Sequence, residues 1–211
     1  RLLAALGHDL RSPLTALRVR AEMVDERETR DSLIASIEEM QEMVDATLSF
    51  ARGIASSEDV ETVEMGAFLA RLRADMLDSF TLRDGAAVRL RLRPQSARRA
   101  LRNVIDNAER YGGEVDVSYG LEGDHAVIRI GDNGPGIPEA DIEQVFEPYF
   151  RLEKSRSKET GGTGLGLSIA RTIIRAHGGD VSLANRPDGG LVATVTLPLD
   201  SQNLDNERKV S

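Results

Sequence analysis

The sequence predicts an α-helical hairpin followed by an α+β domain. Residues 1–51 contain two long segments in which apolar residues recur at steps of three and four, as in amphipathic helices. Beyond residue 60, short alternating segments mix with helical ones, without the regular alternation of a doubly wound parallel sheet. The small polar stretch at 53–60 lies between these parts and indicates a linker. We expect the second part to hold a mixed sheet covered by helices on one face.

Composition excludes several classes of function. The 211 residues carry 27 basic and 35 acidic side chains, a net charge of −8, which argues against binding nucleic acid or anionic membranes as the main activity. There is no cysteine, so disulfides and thiolate metal sites are excluded, and the three histidines form no short metal motif. No apolar run approaches the ~20 residues of a membrane span. No signal peptide is visible, and because Arg1 already lies inside a helical pattern, we expect a fragment of a longer protein.

Each helix of the predicted hairpin has one long apolar stripe. The first helix covers residues 1–25, a polar turn is expected at 26–31, and the second helix runs from Ser32 to Ala51. The stripes comprise Leu3, Leu6, Leu10, Leu14, Leu17, Ala21 and Val24, then Leu33, Ile37, Met40, Val44, Leu48 and Ala51. Two helices alone bury such stripes poorly, so we expect the hairpin to dimerise into a four-helix bundle. Packing of the hairpin on the second domain is the alternative.

The second part divides into short elements. Strands are expected at 60–65, 87–92, 114–119, 126–130, 180–185 and 191–198, and helices at 66–80, 94–110, 139–145 and 165–177. Residues 148–163 are expected to form a long loop and residues 200–211 a frayed tail. The predicted organisation is therefore a hairpin domain at 1–53, a linker at 54–60 and an α+β domain at 61–199.

Two glycine-rich turns, GDNGPGIP (131–138) and GGTGLGLS (161–168), indicate a nucleotide site. Backbone amides can approach a phosphate closely at such turns, and the second turn opens a helix whose first amides and dipole favour an anion. Asp132 follows a predicted strand, and Asn103 and Asn107 share one helix face. Alone, the DxGxG pattern is weak, since Asp-Asn-Gly is also ordinary turn chemistry, and Asn107 alone is weaker. The GGTGLGLS turn is a stronger signal, because three alternate glycines at a helix start are costly without an anion to bind, and it is not a P-loop because no Gly-Lys-Ser or Gly-Lys-Thr sequence follows. Together they supply phosphate donors, an acceptor for a base and oxygen ligands for a metal.

His8 is the candidate nucleophile. On heptad counting it falls almost opposite the apolar stripe, and an exposed imidazole is nucleophilic near neutral pH. Asp9 could hydrogen-bond the ring, while Pro13 removes a helix hydrogen bond and would bend the helix just after His8. The alternatives are an ordinary surface histidine, or a helix that begins only near Ser12 and Pro13.

These motifs, in this order, resemble the transmitter core of bacterial sensor histidine kinases over about residues 1–199. HDLRSPL (8–14) resembles the H box, 103–112 the N box, 132–137 the G1 box, 146–151 the F box and 162–167 the G2 box. The glycine-rich motifs alone would also suit other ATPases of the fold superfamily, from which the H box separates this chain. The resemblance implies a dimeric phosphotransfer bundle followed by a Bergerat-type ATP-binding fold.

The resemblance also implies site roles. His8 would attack the γ-phosphate of ATP, Asp9 would assist the imidazole, and Ser12 would help to dephosphorylate the response regulator. Asn107 would bind Mg²⁺, and Asp132 would accept a hydrogen bond from the adenine amino group. The other implied nucleotide contacts are Asn103, Arg110, Tyr111, Gly134, Gly136, Ile137, Arg151, Arg156, Gly162, Thr163, Gly164, Leu165 and Gly166. The implied partners are a receiver domain and a second copy of the chain, and the implied location is the cytoplasmic portion of an inner-membrane sensor.

Two features depart from the family pattern. Ser12 stands where many relatives have threonine, and Gln95 stands where an acidic residue usually precedes the N-box helix. The stretch 79–95 is also short, so a trimmed loop or edge strand is expected. Three hypotheses remain: an active kinase, a non-catalytic nucleotide-binding scaffold that signals by conformation, and a core dominated by phosphatase activity toward the regulator.

Overall fold

A computed structural model describes residues 2–54, 58–152 and 163–199, apart from the side chains of 2–8 and of most residues between 39 and 54. The predicted fold class is confirmed: a helical hairpin precedes a mixed sheet with packed helices. The helices are α1 (Leu2–Glu22), α2 (Arg27–Ile54), α3 (Met65–Asp75), α4 (Pro94–Gly112) and α5 (Gly166–Arg175). The strands are β1 (Glu61–Glu64), β2 (Thr81–Leu82), β3 (Arg89–Leu92), β4 (Val115–Glu122), β5 (His125–Asp132), β6 (Asp180–Asn185) and β7 (Leu191–Pro198). No helix in the described ranges is long and apolar enough to cross a membrane.

The hairpin differs from its prediction at the turn. Pro13 lies inside α1, so the helix does not begin at Ser12 and the upstream apolar spacing was the better guide. The expected turn at 26–31 is wrong, because α2 already begins at Arg27. The Thr29 hydroxyl donates to the Glu26 carboxylate over 2.8 Å, and Glu28 in the first turn suits the positive end of the helix dipole. The polar residues at 26–29 therefore stabilise the first turn of α2 and do not form the expected turn between the helices.

The sheet of the second part has five strands in the order β2-β4-β5-β7-β6. β2 pairs with β4 in parallel and the other pairs are antiparallel, so the sheet is mixed as predicted. β2 has only two residues, which fits the expected short edge strand, whereas β1 and β3 form a separate antiparallel pair. β5 is central and its pairing places Ile130 opposite Val117 on β4 and Ala193 on β7. The end of β5, where Asp132 lies, is thus held by neighbours on both sides.

Helices α4 and α5 pack on this sheet through apolar faces. Apolar residues of α4 recur at steps of three and four, and the buried ones are Ala97, Ala100, Leu101, Val104, Ile105 and Ala108. Several predicted elements have different bounds, and the helices differ most. The helix expected at 66–80 ends at Asp75 because Leu77 and Asp78 take left-handed backbone angles, with φ of 56° and 59°. The helix expected at 139–145 is two short 3₁₀ turns, Glu139–Asp141 and Gln144–Phe146, and α5 ends at Arg175.

Glu58, in the predicted linker, caps helix α4. The N-cap residue Arg93 makes no side-chain cap. Instead, the Glu58 carboxylate accepts hydrogen bonds from the Gln95 amide (2.5 Å), the Ser96 amide (3.1 Å) and the Ser96 hydroxyl (2.8 Å). A carboxylate at a helix N-terminus satisfies free amides and complements the dipole. Glu58 thus supplies an acidic group at the start of this helix, where the sequence itself has Gln95.

His177 closes the same junction. Its Nδ1–H donates to the Ile173 carbonyl over 2.8 Å, and its Nε2 accepts from the Arg93 amide over 3.0 Å. The ring therefore carries its proton on Nδ1. Arg93 also donates from Nε to the Glu58 carbonyl over 3.2 Å. The end of α5, the start of α4 and Glu58 are thus joined in one hydrogen-bonded cluster.

We expect Glu58→Ala to lower the free energy of unfolding by about 1–2 kcal/mol at neutral pH, as the loss of a helix cap does. Burial works against ionisation of Glu58, but the hydrogen bonds from Gln95 and Ser96 outweigh it and hold its pKa below the ordinary value of 4.5. The charged form therefore stabilises the fold above that pH, and the stabilisation is lost as pH falls through the lowered pKa. The difference between wild type and variant should shrink in acid.

Urea unfolding followed by tyrosine fluorescence measures this difference, because all three tyrosines lie between residues 111 and 149 and there is no tryptophan. Asp59→Ala, at the exposed neighbouring residue, is the matched control and should change little. Equal effects of the two variants, or a Glu58 effect independent of pH, would contradict the role of the charge.

Candidate functional site

Asp132 ends strand β5 with its carboxylate held in one orientation. The side chain is only 6% exposed. Its Oδ1 accepts from the Gly134 amide over 2.8 Å and from the Leu191 amide over 3.2 Å. Within the described ranges, Oδ2 has no hydrogen-bond partner. Oδ2 is not among the fully buried unpaired atoms of the described residues, so it can accept a hydrogen bond from a bound molecule.

Glycines let three segments approach this aspartate. A Cβ on Gly112, the last residue of α4, would lie 2.3 Å from Asp132 Cβ. A Cβ on Gly134 would lie 2.6 Å from the Tyr111 carbonyl oxygen, and one on Gly190 would lie 2.0 Å from the Asp132 carbonyl oxygen. Three segments therefore meet at Asp132: the end of α4, the loop after β5 and the turn between β6 and β7. The sequence predicted only the glycine-rich loop after β5.

The predicted asparagines lie on α4 beside the start of α5. Asn103 and Asn107 are both half-buried, and the Asn103 Nδ2 donates to the Gly166 carbonyl over 3.2 Å. Leu165 is the N-cap residue of α5, and its apolar side chain makes no cap hydrogen bond to the first backbone amides of this helix. Gly164 has φ of +68°, and a Cβ there would lie 2.9 Å from the Phe150 carbonyl oxygen, so this glycine lets the turn pack closely against the Tyr149–Phe150 backbone, whereas a Cβ on Gly166 would come no nearer than 3.9 Å to Asn103. The amides and Asn107 together suit an anion with a bound cation.

Other predicted contacts occupy different surroundings. Arg110 and Tyr111 are exposed at the end of α4, and Arg151 and Thr163 are half-buried. Leu165 packs into the core at 4% exposure, so only its backbone could meet a nucleotide. Arg156 and Gly162 lie outside the described residues.

The F-box aromatics differ in role. Phe146 is a core residue, as predicted, and the Arg171 guanidinium lies 4.3 Å from the centre of its ring. Arg171 also pairs with Glu143 (2.8 Å) and Asp180 (2.9 Å). Burial opposes ionisation of Asp180, but hydrogen bonds from Arg175 and Arg171 hold its pKa far below the usual range, and in return the pKa of Arg171 is raised. This network joins the segment around Glu143 to α5 and to the start of β6.

Tyr149 connects the nucleotide site to the hairpin. It has a left-handed backbone, with φ of 67°, and its amide donates to the Gly164 carbonyl over 3.1 Å. Its exposed hydroxyl lies 3.1 Å from the Thr47 hydroxyl on α2. Through these two hydrogen bonds, Tyr149 joins the glycine turn before α5 to the second helix of the hairpin.

The predicted phosphotransfer residues lie along α1. Asp9 and Ser12 are exposed on this helix. The backbone of His8 is helical, but its side chain lies outside the described part of the chain, so its orientation stays a prediction.

Sequence reasoning missed several residues that shape the site. It assigned no role to Gly112, Asn185, Arg186 or Leu191, and it placed Glu58 in a linker. Asn185 was predicted only as the last residue of the strand at 180–185. An amide side chain at the end of a strand was the available signal, but its partner is 48 positions away, at Ile137.

Comparison with known proteins agrees with this geometry. Residues 92–201 match the model of the histidine kinase-, DNA gyrase B-, and HSP90-like ATPase family, and residues 1–55 match the His Kinase A (phospho-acceptor) domain. The chain is 35% identical over 200 residues to sensor histidine kinase GtrS of Pseudomonas aeruginosa, covering 94% of this chain and 41% of the relative. It is 29% identical over 213 residues to sensor histidine kinase CpxA of Escherichia coli, covering 94% and 47%. The chain thus spans less than half the length of these relatives.

Solved structures give the same result. Mycobacterial sensor histidine kinase MprB superposes with a TM-score of 0.55 at 29% identity, covering 66% of this chain and 97% of that one. Full-length ShkA in complex with AMPPNP superposes with a TM-score of 0.67 at 21% identity, covering 94% and 45%, which shows a common fold. The chain belongs to the histidine kinase-, DNA gyrase B-, and HSP90-like ATPase family, in the arrangement of a bacterial histidine kinase transmitter core.

Proposed function

We propose that this chain catalyses ATP-dependent phosphorylation of its own His8 and transfers the phosphoryl group to an aspartate of a response regulator. The observation that carries the proposal is the Asp132 carboxylate, buried and fixed through Oδ1 while Oδ2 is left to accept. It lies on the same chain as a histidine-bearing hairpin of the phospho-acceptor family. A base-binding acceptor and a phosphoryl acceptor on one chain suit a protein-histidine kinase.

The base would be recognised at Asp132. Oδ2 would accept a hydrogen bond from the adenine amino group, and the glycines at 112, 134 and 190 let three protein segments pack around Asp132 and so hold its carboxylate in place. Guanine presents an oxygen at the same position, which a carboxylate repels. Tyr111 and Ile137 would contact the ring from the two adjoining segments.

The phosphates would lie between α4 and the start of α5. The first amides of α5 donate to phosphate oxygens, and the positive end of the helix dipole stabilises their charge. Arg110, Arg151 and Arg156 are the candidate cations. Asn107 is a half-buried oxygen donor of the type that Mg²⁺ accepts, with Asn103 one turn earlier, and Mg²⁺ bound there would neutralise phosphate charge during transfer.

The reaction itself is a phosphoryl transfer. An imidazole nitrogen of His8 forms a bond to the γ-phosphorus while the oxygen bridge to the β-phosphate breaks and ADP leaves. Asp9 holds the ring by accepting from its other nitrogen. Such a transfer depends mainly on positioning and charge neutralisation, which the site residues supply. The Ser12 hydroxyl, exposed four residues further along α1, would assist a separate reaction, the hydrolysis by water of the aspartyl phosphate on the regulator.

The hairpin supports assembly as a homodimer. Leu14, Ala21 and Ile37 are buried within the single chain. The stripe residues that stay between 41% and 46% exposed are Leu10, Leu17, Leu33 and Met40. Among the described stripe residues, two on each helix thus stay exposed, and a second hairpin would cover them in a four-helix bundle. Because the reaction consumes ATP, we place these residues in the cytoplasmic portion of a longer inner-membrane sensor.

The test is to mix the purified chain with γ-labelled ATP and Mg²⁺ and to measure the stability of the bound label. Acid-labile, alkali-stable label is expected, since the N–P bond of phosphohistidine hydrolyses in acid. ATP binding without any label would instead favour the non-catalytic scaffold. Rapid loss of phosphate from an added regulator, slowed in Ser12→Ala, would favour a core dominated by phosphatase activity.

A further inference from the structure

The turn between β6 and β7 holds one end of the loop that follows β5. We call residues 132–137 the base loop and residues 185–191 the clamp turn. The Asn185 Oδ1 accepts from the Ile137 amide over 2.9 Å, and the Asn185 Nδ2 donates to the Ile137 carbonyl over 2.7 Å. This reciprocal pair satisfies both backbone groups of Ile137, as a neighbouring strand would.

Gly136 makes this approach possible. Its φ is +72°, and a Cβ there would lie 2.5 Å from the Asn185 Oδ1. Any other residue at 136 would both strain the backbone and push Asn185 away from Ile137. The second glycine of the G1 motif therefore serves contact with the clamp turn.

The clamp turn holds the other end of the base loop as well. Arg186 Nη1 donates to the Asp132 carbonyl over 3.2 Å and lies 3.6 Å from the Asp116 Oδ1. The Leu191 amide donates to the Asp132 Oδ1 over 3.2 Å. Gly190, with φ of +93°, allows the turn to pass against the Asp132 carbonyl. Both ends of the base loop are thus bonded to one seven-residue segment.

We propose that Asn185 and Arg186 are positioning residues that set the selectivity of this site for the adenine amino group. The inference rests on the proposed function. Neither side chain needs to touch the nucleotide. Asn185 fixes the base loop through Ile137, and Arg186 fixes the backbone of the residue whose Oδ2 accepts. A loop that is free to move would let the carboxylate leave its fixed orientation, and the selectivity that depends on that orientation would fall.

The experiment compares two nucleotides on the full chain. ATP and purine riboside triphosphate, which lacks the exocyclic amino group, are titrated against wild type, Asn185→Ala, Arg186→Ala and the control Ser182→Ala. Ser182 is exposed on the same strand as Asn185. Autophosphorylation rates give KM and kcat for ATP, and thermal unfolding without nucleotide reports on the fold.

In Asn185→Ala we expect the KM for ATP to rise about tenfold, the effect of losing a pair of hydrogen bonds, with kcat nearly unchanged. Affinity for the analogue should change little, so the preference for ATP falls by nearly the same factor. Arg186→Ala should act in the same direction, and Ser182→Ala should match wild type.

Two outcomes would overturn the inference. One is full ATP selectivity in both variants. The other is equal loss of both nucleotides together with a lower unfolding temperature, which would indicate a purely structural contact. Failure of the wild type itself to bind ATP would contradict the proposed function instead, so the two failures are distinguishable.

Discussion

Replacing His8 with glutamine is expected to reduce phosphoryl incorporation from γ-labelled ATP to background. An amide nitrogen is not nucleophilic, so no N–P bond can form at position 8. The other histidines do not substitute for it. Both ring nitrogens of His177 are engaged, with Ile173 and Arg93, and His125 lies at the start of β5 with its Nδ1 2.6 Å from Asp124. The measurement is acid-labile label per chain at saturating ATP.

ATP binding supplies the control for this variant. The nucleotide site is built from residues beyond 100, so His8→Gln should bind ATP with unchanged affinity. His125→Gln is the matched variant and should keep its label. Undiminished label in His8→Gln would contradict the assignment of the phosphoryl acceptor, whereas loss of label in both variants would point to a second essential histidine.

Replacing Asp132 with asparagine should weaken ATP binding by about 100-fold, the order expected when a charge-assisted hydrogen bond becomes a clash between donors. The amide oxygen can still accept from the Gly134 and Leu191 amides, as Oδ1 does now. The amide NH₂ then takes the place of Oδ2 and faces the adenine amino group. Nucleotides with a carbonyl at that position, such as inosine triphosphate, should lose far less affinity or gain it.

Binding competition between ATP and inosine triphosphate measures the reversal directly. Asp124→Asn, in the turn just before β5, tests whether loss of an acidic group next to this strand matters in itself, and it should bind ATP normally. Equal weakening of both nucleotides by Asp132→Asn would show that the carboxylate supports the fold rather than reading the base.

The sequence was most informative where structure is local. The stripe on α4, Pro94 at its first turn and the apolar run of β5 predicted these elements, because helix and strand periodicities depend on near neighbours. The same locality put Asp132 at a strand end and Asn103 and Asn107 on one helix face. The positions of the main site residues could therefore be predicted.

Contacts between distant segments could not be read in this way. Asn185 and Ile137 are 48 positions apart, and Glu58 and Ser96 are 38 apart. The residues next to Glu58 or Asn185 in the sequence do not reveal which backbone amides the fold brings to these side chains. The start of α2 was missed for a different reason, since charged residues suit both a turn and a first helical turn.

The Glu58 cap has a consequence for building chimaeric sensors from this chain. The match to the phospho-acceptor domain ends at residue 55, and the match to the ATPase family begins at residue 92. Neither match therefore assigns the segment between them to a domain. Because Glu58 bonds to the start of α4, a foreign hairpin joined before residue 58 would leave the recipient helix capped. A junction a few residues after residue 58 would keep the nucleotide motif on α4 but would remove the Glu58 cap from the first amides of this helix. The junction between the hairpin and the α+β domain should therefore be placed before Glu58 rather than at the end of either family match.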